Sequence, residues 1–100
     1  MLFMIYCRDG AGQEQRRLDN HGDHRAYLAE AGKGLIVAGP LVSDDGGKMI
    51  GSLFLLEAAT REEAEGFNAN DPFRKLGIWQ EVAIQRFDKR TDRRGTEGAT

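Results

Sequence analysis

A chain of 100 residues with 40% hydrophobic side chains has material for one core and one domain, with little to spare. Lys and Arg number 14 against 16 Asp and Glu, a net charge of −2, so no broad positive field exists to attract a phosphate backbone, which argues against a nucleic-acid partner. The single cysteine, Cys7, cannot close an intrachain disulfide, which fits a reducing compartment and a cytoplasmic protein, and no apolar run approaches the roughly 20 residues that span a bilayer, which argues against a membrane protein.

Leu2 to Arg8 reads as the first strand, an apolar run too short for a signal segment and without its basic lead. Asp9-Gly10 with Gly12 supplies the turn after it. From Gln13 to about Ala31 the pattern is helical: Arg17, His21, His24, Leu28 and Ala31 share one stripe if the helix is unbroken, and Asn20-His21-Gly22 is where it would break, with Asp23 placed to begin a second segment. Gly32-Lys33-Gly34 ends the helix. Leu35 to Ala38 is a second strand that stops at Gly39-Pro40, Ser43 to Gly47 is a polar turn, and Met49 to Glu57 is a third strand, hairpin partner of the second. Thr60 with Glu63 three residues later has the capping-box spacing and opens a helix carrying Ala64 and Phe67. In Asn70-Asp71-Pro72-Phe73 the aspartate can cap a short helix whose first position suits Pro72. Ile78 to Phe87 is the last strand, and residues 89–100, with no apolar period, read as a mobile tail outside a domain of residues 1–88.

The order βαββαβ predicts an α+β, ferredoxin-like fold, an antiparallel sheet with two helices on one face. Such a sheet should alternate apolar and polar residues, yet Leu2 to Tyr6, Leu35 to Ala38 and Leu53 to Leu56 are apolar at both parities. The last strand offers Ile78, Val82 and Ile84 on one side and Trp79, Ala83 and Phe87 on the other. Both faces therefore require cover, and a homodimer joined through the sheet face supplies it.

Several residues have chemistry to offer. His24 is a base that titrates near neutrality, and a carboxylate such as Asp71, if folded against it, would stabilise its protonated form and fix its tautomer. His21 and His24, three apart, lack a third ligand at any known spacing, so no metal is expected. Cys7 in a strand reads as packing, and Ser52 lacks the strand-to-helix elbow of a hydrolase nucleophile, so it reads as a hydrogen-bond donor. The planar fork of Arg17 is suited to a carboxylate or phenolate.

Arg17-Leu18 followed by His24-x-x-x-Leu28, then Gly34-Leu35, Ala38-Gly39-Pro40-Leu41, Gly51-Ser52, the helix from Thr60, and Asp71-Pro72-Phe73 before Gly77 together resemble the YciI-like, YCII-related family of the dimeric α+β barrel group. The resemblance runs from Leu2 to about Phe87. It implies a pocket between sheet and helices, with His24 and Asp71 as a catalytic acid/base dyad and Arg17, Ser52 and His21 as substrate-binding residues. His21 departs from the pattern, since a basic residue, often arginine, is more usual there. The implied activity is lyase-type dehydrochlorination, or isomerisation, of a small aromatic or enolic molecule, with neither metal nor organic cofactor. The competing expectation is a non-catalytic dimeric ligand-binding or accessory domain.

Overall fold

The molecule is built outward from β1 (Leu2–Asp9), whose alternate residues Phe3, Ile5 and Cys7 are buried. In the computed structural model, which describes residues 1–94, β1 is followed by α1 (Glu14–Asp19), α2 (His21–Glu30), a single 3-10 turn, β2 (Leu35–Val42), β3 (Met49–Glu57), α3 (Arg61–Ala69), α4 (Pro72–Lys75) and β4 (Trp79–Phe87). The strands make one antiparallel sheet in the order β2-β3-β1-β4. This is the ferredoxin-like α+β arrangement, in which the two central strands, β3 and β1, are also the most buried. Among the described residues no helix is long and apolar enough to cross a membrane.

Alternation decides the inner face. Phe3, Ile5 and Cys7 of β1 lie opposite Leu56, Phe54 and Ser52 of β3, all buried, and the helices close over them with Ala64 and Phe73. Fully burying side chains of this size stabilises a fold by about 1.5–3 kcal/mol each. Gly51 is required here: a Cβ at that position would collide with the Cys7 carbonyl oxygen, so β1 and β3 approach as they do only with glycine between them. Thr60 caps α3 by accepting from Glu63 N at 3.2 Å, while the Glu63 carboxylate reaches back to Ala59 N at 2.9 Å, one residue earlier than a regular capping box.

Three expectations are corrected. The helical stretch from Gln13 to Ala31 does break where expected, at Asn20, whose side-chain amide donates to Arg16 O at 2.8 Å, but the second segment begins at His21 and not at Asp23, so Gly22 and Asp23 lie inside α2 and cap nothing. The second strand does not stop at Gly39-Pro40 but continues to Val42, because β2 is an outermost strand where a proline need not break a ladder on both sides. Trp79, expected on the face of Ala83 and Phe87, is buried in the core with Ile78. A register shift pairs Asp9 with Trp79 and Arg8 with Glu81, leaving Gln80 as the extra residue of a bulge that turns Trp79 inward.

The outer face of the sheet is uncovered in the single chain. Val37, Leu53 and Phe87 are 40%, 39% and 44% exposed, with Met4 and Leu55 between them. Of the expected tail, residues 89–94 form neither helix nor strand and border this face, and residues 95–100 lie outside the described part.

Candidate active site

The break at Asn20 gives α1 and α2 separate directions, and each delivers one buried polar side chain toward the sheet. From α1 comes Arg17, only 3% exposed. Its Nε and Nη2 donate to the two carboxylate oxygens of Asp9 at 2.7 and 2.8 Å, and Nη2 also donates to Ser52 Oγ at 3.0 Å. The guanidinium carbon lies 4.8 Å from the centre of the Phe73 ring, a cation–π contact on its other surface. A buried arginine held this way is a neutral unit with Asp9. Arg17 was expected to bind a substrate group through its fork; two of its three nitrogens are engaged within the fold, and the residue lines the cavity described below.

From α2 comes His24, 6% exposed and stacked on Phe73 with ring centres 4.0 Å apart and planes at 4°. Its Nδ1 lies 3.1 Å from Asp71 Oδ1, and the same oxygen accepts from Phe73 N at 2.8 Å, which makes Asp71 the cap of α4 as well. One carboxylate oxygen thus fixes both the start of a helix and the ring of a histidine. An ionised carboxylate only accepts, so the network assigns the imidazole proton to Nδ1 and leaves Nε2 with its lone pair. Asp71 Oδ2 and Trp79 Nε1 are buried without a hydrogen-bond partner among the described residues.

Burial pushes the His24 imidazole down to about 4, with the charges of Arg17 and His21 acting in the same direction. Burial also pushes the Asp71 carboxyl up to about 6, against the opposing pull of the Phe73 N–H and Arg17. The carboxylate draws His24 back toward protonation, but it is charged only above about 6, where the desolvated imidazole has already lost its proton. At neutral pH the pair is a neutral imidazole donating to a carboxylate.

A cavity of about 250 Å³ opens beside this pair, between α1 and α2 on one side and β2 and β3 on the other. His24, Arg17, Ser52 and His21 line it; Asp71, wholly buried, stands behind His24 and does not. Since Ser52 Oγ accepts from Arg17, its own proton is left to donate into the cavity. Its remaining wall is largely apolar, with Leu28, Pro40 and Phe54. Larger hollows, about 560 Å³ on the uncovered sheet face and about 660 Å³ beside Met1 and Arg86, contain no buried titratable group. Cys7 pairs across the sheet with Ser52 but does not itself line the cavity; burial pushes its thiol up to about 12, and Asn68 Nδ2 donates to it at 3.5 Å. Among the described residues no three His, Cys, Asp or Glu side chains are grouped so as to hold a metal ion.

Two participants escaped the sequence reading. Asp9 was read as part of a turn, although strand alternation places it on the same face as Phe3, Ile5 and Cys7, where an acid calls for a buried cation. Arg25, a cavity-lining residue four positions after His21, carried no signal beyond that helical spacing.

Comparison with known proteins agrees with this architecture. The family model described as the YCII-related domain matches residues 1–88. Protein YciI of Escherichia coli O6:H1 is 31% identical over 97 residues, covering 89% of this chain and 98% of that protein. The structure of the 5-chloro-2-hydroxyhydroquinone dehydrochlorinase TftG from Burkholderia phenoliruptrix AC1100, in complex with 2,5-dihydroxybenzoquinone, superposes with a TM-score of 0.82 at 36% identity, covering 88% of this chain and 94% of that one. A NIPSNAP family protein from Agrobacterium tumefaciens, 20% identical with a TM-score of 0.53 over 92% of this chain and 93% of that one, shares the fold alone.

Proposed function

This chain belongs to the YCII-related domain family, and from that premise we propose that it is a small-molecule enzyme in which His24 is the general base and Asp71 the residue that positions it. The observation that carries the reading is the buried Nδ1···Oδ1 contact of 3.1 Å, which leaves Nε2 unprotonated at the edge of a partly apolar cavity. TftG, similar over most of its length, is a dehydrochlorinase, so a hydroxylated aromatic or enolic substrate is the class to test.

In this reading Nε2 removes a proton from a phenolic or enolic hydroxyl. The O–H electron pair becomes part of a carbonyl, and the displaced ring electrons take that proton back from the His24 imidazolium at the ring carbon, which with no leaving group completes an isomerisation; where that carbon bears chloride, Nε2 then removes the proton of a second hydroxyl, whose electron pair becomes a second carbonyl as the shifted ring electrons expel the chloride. The imidazolium formed in the transition state faces the Asp71 carboxylate, so the charge that burial disfavours in the resting site is compensated when it is needed. Ser52 donates to the developing oxyanion, and Arg17, tied to Asp9, holds Ser52 in place. The working form is a homodimer in which a second copy covers the sheet face of Leu53, Val37 and Phe87, and the unpaired Cys7 suits a reducing, cytoplasmic setting.

The test is turnover of 5-chloro-2-hydroxyhydroquinone and related phenols by the whole chain, followed against pH. Rates should rise through about pH 6 as Asp71 ionises, and His24→Ala should remove activity with the fold intact by circular dichroism. A chain that turns over no member of such a panel, or a His24→Ala variant as active as the parent, assigns the domain to ligand binding instead. Sedimentation of the parent and of Leu53→Glu tests the dimer.

A further inference from the structure

The cavity wall contributed by α2 has an uncommon composition for a helix packed on a sheet. His21, His24, Arg25 and Leu28 stand at i, i+3, i+4 and i+7, one face of the helix, and all four line the cavity, so three of these four cavity-lining positions are polar. Among the described residues no carboxylate lines it.

The basic side chains at this wall are not equivalent. Arg17 is neutralised by Asp9, and His24 hydrogen-bonds through Nδ1 to Asp71. Arg25 and His21 are exposed and have no hydrogen-bond or ion-pair partner among the described residues. The two stand one turn apart on one helix face, and the guanidinium of Arg25 leaves an unanswered positive charge at the mouth of a cavity whose interior wall is Leu28, Pro40 and Phe54. A guanidinium at such an edge offers a planar fork to a carboxylate or ionised oxygen, and the apolar interior accepts the body of the same molecule.

Resting on the reading of this cavity as the substrate site, we propose that Arg25, seconded by His21, selects a ligand with an anionic group, most simply a carboxylate on a single ring. The cavity, at about 250 Å³, is smaller than the ~300–1,000 Å³ usual for ligand sites, which restricts the ligand to about that size. Arg25 directly follows His24, so the residue that grips the anion also determines which edge of the ring is presented to the imidazole. Arg25 is thus a specificity residue, and takes no part in proton transfer.

Isothermal titration of the full chain with salicylate and with salicylamide, the same ring without the charge, tests this. The parent should bind salicylate about tenfold tighter or better, with rising salt weakening salicylate alone. Arg25→Gln should erase the preference while leaving salicylamide unchanged, and Arg25→Lys should restore part of it. Equal affinity for the two probes, a preference that survives in Arg25→Gln, or binding of neither at millimolar concentration overturns the proposal. His24→Gln separates the two readings: it should keep the anion preference whether or not the protein proves to be an enzyme.

Discussion

Replacing Asp71 with Asn tests the central pair without disturbing its shape. Both hydrogen bonds to Asp71 converge on Oδ1, from Phe73 N at 2.8 Å and His24 Nδ1 at 3.1 Å, and Oδ2 has none among the described residues. An amide oxygen can therefore accept both. A carboxyl moved from its ordinary 3.8 to about 6 costs the folded state about 3 kcal/mol at pH 7, at about 1.4 kcal/mol for each tenfold change in proton affinity. Asn removes that cost and introduces a buried amide nitrogen without an acceptor, worth about 1–2 kcal/mol in the other direction. The variant should thus be about 1–2 kcal/mol more stable than the parent at pH 7. Its turnover should fall on the order of a hundredfold, because no charge remains to compensate the imidazolium. The pH dependence gives a second reading. Between 3.8 and about 6 the folded chain holds a proton on Asp71 that the unfolded chain releases, so this group's contribution to stability falls as pH rises. Between about 4 and 6.5 the folded chain has lost a proton from His24 that the unfolded chain keeps, so that contribution rises with pH. In the parent the two slopes nearly cancel; in Asp71→Asn only that of His24 remains, and stability should drop by about 3 kcal/mol on acidification through its window. Urea unfolding at a series of pH values measures both. An Asn variant less stable at pH 7, with a pH profile parallel to that of the parent, would refute the assignment of burial as the dominant force on Asp71.

Other predictions follow from single contacts. Arg17→Met leaves the carboxylate of Asp9 buried and unpaired and should cost about 3–5 kcal/mol in chemical denaturation, whereas the double variant with Asp9→Leu should recover much of that loss; a strictly additive pair would contradict the ion pair. Gly51→Ala sets a methyl against the Cys7 carbonyl and should lower thermal stability by about 2 kcal/mol or more, with no loss at Gly39, where a Cβ meets nothing within 4 Å. Cys7, with its thiol pushed up to about 12, should resist alkylation in the native protein at neutral pH and react quickly in denaturant; fast labelling of the folded chain would show that the thiol is not buried.

Local signals identified most of the framework. Thr60 with Glu63, Asp71 before Pro72, and the apolar run of β3 each specify a short stretch through interactions within a few residues, and the folded elements begin where those signals stand. The errors arose where a distant segment decided the outcome. Pro40 lies within a strand because β2 has a neighbour on one side only, and Trp79 points inward because of a bulge against β1 that nothing near position 79 announces. The site behaves the same way. His24 and Asp71 are 47 positions apart, and their meeting was legible only through a family resemblance. Asp9 was legible from strand alternation alone and was overlooked because Asp-Gly also signals a turn.

Pro40 has a further effect beyond interrupting a prediction. It sits, solvent-exposed, in the outermost strand of the sheet, where a ring replaces the N–H that an incoming chain would need in order to ladder onto that border. Fibrillar growth from this margin is therefore disfavoured.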